Sequence, residues 1–140
     1  MYAQILACID LEDEAESAAV MAAAMKQAKE SDGKVTVASV VPEFGFSLVG
    51  GYFPDDFEAK MRAAAKEKLD AFADANGGAA IDRWVGHGSI QRETLKAASE
   101  IAADLIVIGA GGHELAEQII GSHASRIVAS AACSVLVVRS

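Results

Sequence analysis

Two glycine-bearing stretches carry the groups most able to do chemistry in this chain. The first is Asp104-Leu-Ile-Val-Ile-Gly-Ala-Gly-Gly-His-Glu114, an apolar run that enters Gly109, Gly111 and Gly112. The second is Ile120-Gly-Ser-His-Ala-Ser-Arg126, where Gly121 and Ser122 open a short helical pattern. Glycine permits positive φ and lets backbone N–H groups approach a ligand closely. A helix start adds unpaired N–H groups and the positive end of a dipole. A strand leading into such a loop can hold an anion, so the chemistry indicated is the binding of phosphate or a nucleotide. The same glycines also serve simple turns. The pattern is neither a P-loop, since no Gly-Lys-Ser/Thr is present, nor a dinucleotide fingerprint after the first strand.

Asp10 is the second candidate, an acid at the end of the apolar run Ile5-Leu-Ala-Cys-Ile9. It reads either as a hydroxyl-binding carboxylate or as a helix cap and turn former. Glu12, Asp13 and Glu14 suit a solvated helix start better than a metal site. His87, His113 and His123 share no metal-ligand spacing, although His113 and His123 are possible phosphate donors and Arg126 sits one turn into the last helix. No Ser/His/Asp or Cys/His set suggests nucleophilic catalysis. Cys8 is a candidate thiol beside the site or a packed core residue. Cys8 and Cys133 belong near opposite ends of their strands, roughly 16 Å apart along the strand direction, beyond disulfide reach.

The elements that must position these groups alternate regularly. Strands are expected at 5–9, 35–41, 80–86, 105–108 and 135–138. Helical patterns fill the gaps. Val20, Met21, Ala24, Met25 and Ala28 mark the first, which stops at Ser31-Asp-Gly33. Phe57, Met61, Ala65, Leu69 and Phe72 mark the second, which Asp55 or Asp56 can cap and Asn76-Gly-Gly78 ends. Ser89 can cap the third, with Leu95, Ala98, Ile101 and Ala102 inward. The last runs over 122–131. The segment 42–55 lacks a period, contains Phe44, Phe46, Tyr52 and Phe53, and reads as a lid, a partner surface or a folded-back loop.

This βαβαβαβαβ order predicts an α/β fold. It has a five-stranded parallel sheet with helices on both faces, doubly wound and Rossmann-like, with strand order 3-2-1-4-5. In such sheets ligands bind at the carboxyl ends of the strands where the order reverses. That point lies between the first and fourth strands, so Asp10 and the Gly109 loop are expected across one crevice.

The bulk numbers agree with this frame. The 140 residues suit a single domain over 1–140. A hydrophobic content of 52% is enough for a sizeable core, and the net charge of −8 argues against DNA, RNA or anionic lipid as partners. No basic leader precedes the first apolar run, and no apolar run is long enough to span a bilayer, so a cytoplasmic protein with free thiols is expected.

Over nearly its whole length the chain resembles the universal stress proteins. The resemblance is carried by Ile5-Leu-Ala-Cys-Ile-Asp10, Gly88-Ser89, Asp104-Leu-Ile-Val-Ile-Gly109 and Gly121-Ser-His-Ala-Ser-Arg-Ile-Val128, with the closing Cys133-Ser-Val-Leu-Val-Val-Arg139. It implies a stress-responsive regulatory protein that binds ATP, AMP or ADP, with Mg²⁺ possible beside the nucleotide, and acts as a homodimer through its last strand. At most it would hydrolyse ATP slowly. It also implies roles for single residues. Asp10 would take the ribose hydroxyls, and the Val40 backbone would meet the adenine. Ile9 and Gly88 would line the base pocket, with Cys8 on the near wall. Gly109, Gly112, Gly121 and Ser122 would hold ribose and phosphates, joined by His123. The family's ATP-binding pattern has nine residues between the second and third of these glycines. This chain has eight between Gly112 and Gly121 and so resembles a short-loop subgroup. Cys8 stands where the family usually has Pro, and Leu11-Glu12 where it has Gly-Ser, which makes the near wall bulkier and more acidic. Some family members do not bind ATP, so a nucleotide-independent interaction module of the same fold is the alternative.

Overall fold

A computed structural model describes residues 1–42, 57–78, 80–111 and 120–139. Among them the order is β1 (Gln4–Cys8), α1 (Glu14–Ser31), β2 (Lys34–Pro42), α2 (Phe57–Asn76), β3 (Asp82–Gly88), α3 (Ile90–Glu100), β4 (Leu105–Gly109), α4 (Ser122–Ser130) and β5 (Ser134–Val138). The sheet is five-stranded with order β3-β2-β1-β4-β5. Every adjacent pair is parallel. The doubly wound reading from the sequence therefore holds, including the strand order.

The two sheet faces bury different residues because side chains alternate along a strand. Ile5, Ala7, Val35, Val37, Leu105 and Val107 pack with Val20, Met21 and Ala24 of α1 and Leu69 and Ala73 of α2. Leu6, Ala38, Ile106 and Ile108 pack on the opposite face with Ala97 and Ala98 of α3 and Ile127 of α4. Apolar residues on both faces are what make β1 and β4 continuous apolar runs rather than alternating ones.

The helix boundaries follow local chemistry. Asp13 caps α1 by accepting the Glu16 N–H at 3.0 Å. At the other end Asp32 takes the left-handed conformation, φ 53°, and its N–H returns to the Ala28 carbonyl. Gly33 follows with no room for a side chain, because a Cβ there would strike the Tyr2 carbonyl oxygen. Ser89 caps α3, accepting the Arg92 N–H at 3.2 Å. α2 ends at Asn76 as expected, with the Gly77 and Gly78 N–H groups both reaching the Ala73 carbonyl.

Some details differ from the sequence reading. β3 runs from Asp82 to Gly88, two residues later than expected, and pairs with β2 as far as Pro42. In α3 the buried positions are Thr94, Ala97 and Ala98, with Leu95 and Ile101 half-buried and Ala102 exposed beyond the helix end. A helix that packs on a flat sheet buries the residues nearest its contact line, and here Thr94 lies on that line. In α2, Leu69 and Ala73 are fully covered, while Phe57, Met61, Ala65 and Phe72 are half-buried. The proposed caps Asp55 and Asp56, the aromatic residues of 42–55, and Gly112, His113, Glu114 and Glu117 lie outside the described residues.

Two polar ties hold the opposite end of the sheet. The Asp104 carboxylate accepts the N–H groups of Ala3 and Gln4 at 2.9 and 3.1 Å. These bonds hold its pKa below the usual carboxylate range. Arg83, on edge strand β3, bonds Asp70 at 3.0 Å and Asp74 at 2.6 Å on α2, tying that helix to the sheet.

Candidate functional site

The strand order reverses between β1 and β4, where Cys8 pairs with Ile108. The next residues, Ile9 and Asp10 on one side and Gly109 to Gly111 on the other, therefore emerge next to each other at the carboxyl ends. Ile9 is buried, and its N–H bonds the Ala38 carbonyl at 3.0 Å. This bond continues the β1–β2 ladder one residue past the strand and delivers Asp10 to the rim.

Asp10 is exposed, and its backbone is held closely. The buried Ser17 hydroxyl donates to the Asp10 carbonyl at 2.6 Å, and the Asp10 N–H donates back to Ser17 Oγ at 3.2 Å. The Asp10 carboxylate accepts the Glu12 N–H at 2.9 Å through Oδ1. Asp10 is thus a turn former as well as a rim carboxylate. Its second oxygen takes no hydrogen bond among the described residues. Asp10 also borders a groove of about 780 Å³ between α1 and α2, whose lining includes Leu11, Glu14, Ala18, Phe72 and Asn76.

The opposite wall is built from backbone. Gly109 ends β4 fully buried, and the Ala110 N–H bonds the Val138 carbonyl at 2.8 Å. Gly111 has φ 65°, the left-handed region that glycine enters without penalty. The Gly121 N–H donates to the Ala110 carbonyl at 2.6 Å. The start of α4 is thereby fixed against the end of β4, although the two are distant in sequence. Gly121 is the cap residue of α4 and supplies no side-chain hydrogen bond to the first turn. Ser122 and His123 in that turn are exposed. A nine-residue helix with an uncapped start beside Gly111 offers N–H groups and a dipole to an anion.

The remaining residues named from the sequence lie on β2, β3, β1 and α4 and just before β5. Val40 is half-buried on β2, in register with Gly86 of β3. Gly88 ends β3 with φ 114° and faces open space where a side chain would be. Cys8 packs with the layer beneath α3, beside the Thr94 hydroxyl. Burial there pushes its thiol up to about 12, with a hydrogen bond to Thr94 opposing part of the rise. A thiol with that pKa is a packing group, not a nucleophile, at neutral pH. Cys133 lies level with Asp104 and Cys8 with Ile108. That is roughly 13 Å along the strands, which rules out a disulfide as the spacing predicted. Arg126 is exposed on α4. No cluster of three or more His, Cys, Asp or Glu side chains suited to a metal ion exists among the described residues.

One residue against the turn escaped the sequence reading. Glu16, in the first turn of α1, reaches across the crevice, and its Oε2 accepts the Gly111 N–H at 3.3 Å. Its side chain occupies the space a Cβ on Gly109 would need. In the sequence Glu16 is one acid of several at a helix start. Only the parallel register of β1 and β4 places it against the loop.

Comparison with known proteins agrees with this architecture. The model of the universal stress protein family matches residues 1–139. A Staphylococcus haemolyticus protein bearing the universal stress protein name is 33% identical over 99% of this chain and 85% of its own length. A Staphylococcus aureus counterpart is 34% identical over 99% and 84%. Among solved structures, a universal stress protein in complex with cAMP superposes with a TM-score of 0.63 at 25% identity, over 98% of this chain and 96% of that one. A universal stress protein family member from Burkholderia pseudomallei gives 0.70 at 26% identity, over 98% and 96%. With its doubly wound sheet, its Gly109–Gly111 turn and its matched length, this chain belongs to the universal stress protein family.

Proposed function

We propose that this chain is a stress-responsive regulatory protein that binds an adenine nucleotide in the crevice between β1 and β4. The observation that carries the reading is the convergence of Asp10, the Gly109–Gly111 turn and the uncapped start of α4 on one rim. In this reading the Asp10 carboxylate accepts from ribose hydroxyls. The backbone of Val40, with Ile9 and Gly88, frames the base. Gly109, Gly112, Gly121, Ser122 and His123 surround ribose and phosphate. Cys8 supports the wall from below. The cAMP complex of a relative supports an adenine ligand.

The donors fit a phosphate only in part. Among the described residues no side chain caps the α4 start, whereas the Gly111 N–H already serves Glu16. Mg²⁺, when bound with the nucleotide, would offset phosphate charge beside these acids. No Lys clamp for phosphoryl transfer stands in the crevice among the described residues, and the proposed activity is binding, with slow ATP hydrolysis at most.

The proposed assembly is a homodimer through β5. Among the described residues that strand pairs only with β4, and Val135, Leu136, Val137 and Val138 are all half-buried. An apolar edge of this kind favours pairing with a second copy. No helix among the described residues is long and apolar enough to cross a membrane, and the proposed location is cytoplasmic. Purified protein is to be denatured and the supernatant analysed chromatographically. An adenine nucleotide in near-stoichiometric amount is expected; its absence, together with no binding of added nucleotide, contradicts the reading.

A second reading is favoured by the Glu16 contact itself. A crevice already filled by a carboxylate suits a nucleotide-independent interaction module. Partner capture that ignores both added ATP and Gly121→Asp would establish it.

A further inference from the structure

The turn proposed to hold phosphate already gives one of its N–H groups, that of Gly111, to a protein carboxylate. Glu16 stands in the first turn of α1, three residues after the Asp13 cap that accepts its N–H. Its side chain crosses the switch point, fills the space in front of Gly109 and accepts the Gly111 N–H. Gly111 is the left-handed residue that ends the Gly109–Gly111 turn, and Gly121 Cα lies within van der Waals distance of the space its Cβ would take. A phosphate reaching the Gly111 N–H would therefore have to dislodge Glu16 or lie against it. Two anions sharing one donor in a partly dry crevice repel strongly.

We propose that Glu16 is a specificity-determining residue, a built-in anion that occupies the phosphate turn and selects against ligands with bare, highly charged phosphate chains. The inference rests on the adenine-nucleotide reading above and names which members of that ligand class the site takes. Adenosine and singly charged or cyclic monophosphates leave Glu16 in place. A polyphosphate must displace it and loses the Gly111 contact or pays the repulsion. Since the contact Glu16 makes is with the Gly111 N–H of the turn, its removal acts on phosphates and spares the nucleoside.

The test compares wild type with Glu16→Gln, which keeps shape and removes charge, and with Glu16→Ala, which also opens the space. Calorimetry with adenosine, AMP and ATP is run with and without Mg²⁺. In parallel, the backbone amide of Gly111 is followed by NMR during titration with inorganic tripolyphosphate, a probe that needs no adenine pocket. The expected result is ATP affinity at least about tenfold higher in both variants without Mg²⁺. AMP should gain less, and adenosine should stay within about twofold. Tripolyphosphate should shift the Gly111 amide in the variants at concentrations that leave wild type unchanged. Equal effects on adenosine and ATP would overturn the proposal, as would a Gly111 amide that responds alike in all three proteins. Weaker Mg²⁺–ATP binding in Glu16→Gln would also overturn it, since Glu16 would then be holding the cation. Failure of adenosine to bind any of the proteins refutes the nucleotide reading. The tripolyphosphate titration then still decides whether Glu16 guards the turn.

Discussion

Single residues set the character of the crevice. Asp10 is held by Ser17 through two hydrogen bonds and presents one carboxylate oxygen outward. Asp10→Ala is expected to weaken adenosine binding about tenfold or more, because a charge-assisted hydrogen bond to a hydroxyl is lost. Glu12→Ala, two residues away, should bind as wild type does, and fluorescence titration with an adenosine analogue distinguishes them. Gly109 is constrained from the other side. Gly109→Ala forces Glu16 out of its place, and we expect a loss of roughly 1–3 kcal/mol in urea unfolding. Cys8 makes a pH prediction. Burial raises its folded pKa to about 12 from an ordinary value of 9.0. Its contribution to stability is therefore complete below pH 9 and lost as pH rises from there toward 12. Thiol-reactive reagents at pH 8 should leave Cys8 unmodified in the native protein and label it after denaturation.

At the scale of elements, the helices position the crevice through their ends. The α1 cap fixes the turn that carries Asp10 to Glu16. Asp13→Ala should cost about 1 kcal/mol of stability, the usual worth of such a cap, and should also loosen Glu16 from Gly111, visible as faster amide exchange there. α4 is anchored by Ile127, which is fully buried against the sheet. Ile127→Ala should cost about 2–5 kcal/mol in urea unfolding. These helices and strands were legible because their signals are local. Apolar runs, Ser89, Asn76-Gly-Gly78 and Ser31-Asp-Gly33 act through bonds to near neighbours. Boundaries were harder. β3 begins at Asp82 and ends at Gly88 because its pairing with β2 starts at Thr36 and runs to Pro42. Thr94 was missed as a buried residue because its hydroxyl finds a partner in Cys8, on another element. Glu16 was missed for the same kind of reason, since its role depends on a contact ninety-five positions away.

For the whole molecule, the parallel order β3-β2-β1-β4-β5 brings the Asp10 turn, the Gly109–Gly111 turn and the α4 start to one place. The crevice has acids on one side and a glycine turn with the start of α4 on the other. The proposed nucleotide site would depend on geometry more than on positive charge, in a chain of net charge −8. The edge strand β5 leads to a further expectation. Sedimentation should give twice the 14.5 kDa of the chain, and Leu136→Lys should give monomers. A wild-type monomer at tens of micromolar would remove the dimer from the account. The central claim is that the crevice binds an adenine nucleotide, and calorimetric titration of wild type and Gly121→Asp with AMP and Mg²⁺–ATP tests it most directly. The account predicts saturable heat at one site per chain in wild type and at least about tenfold weaker binding in the variant. No heat from wild type at about millimolar nucleotide, or equal binding by both proteins, would contradict it.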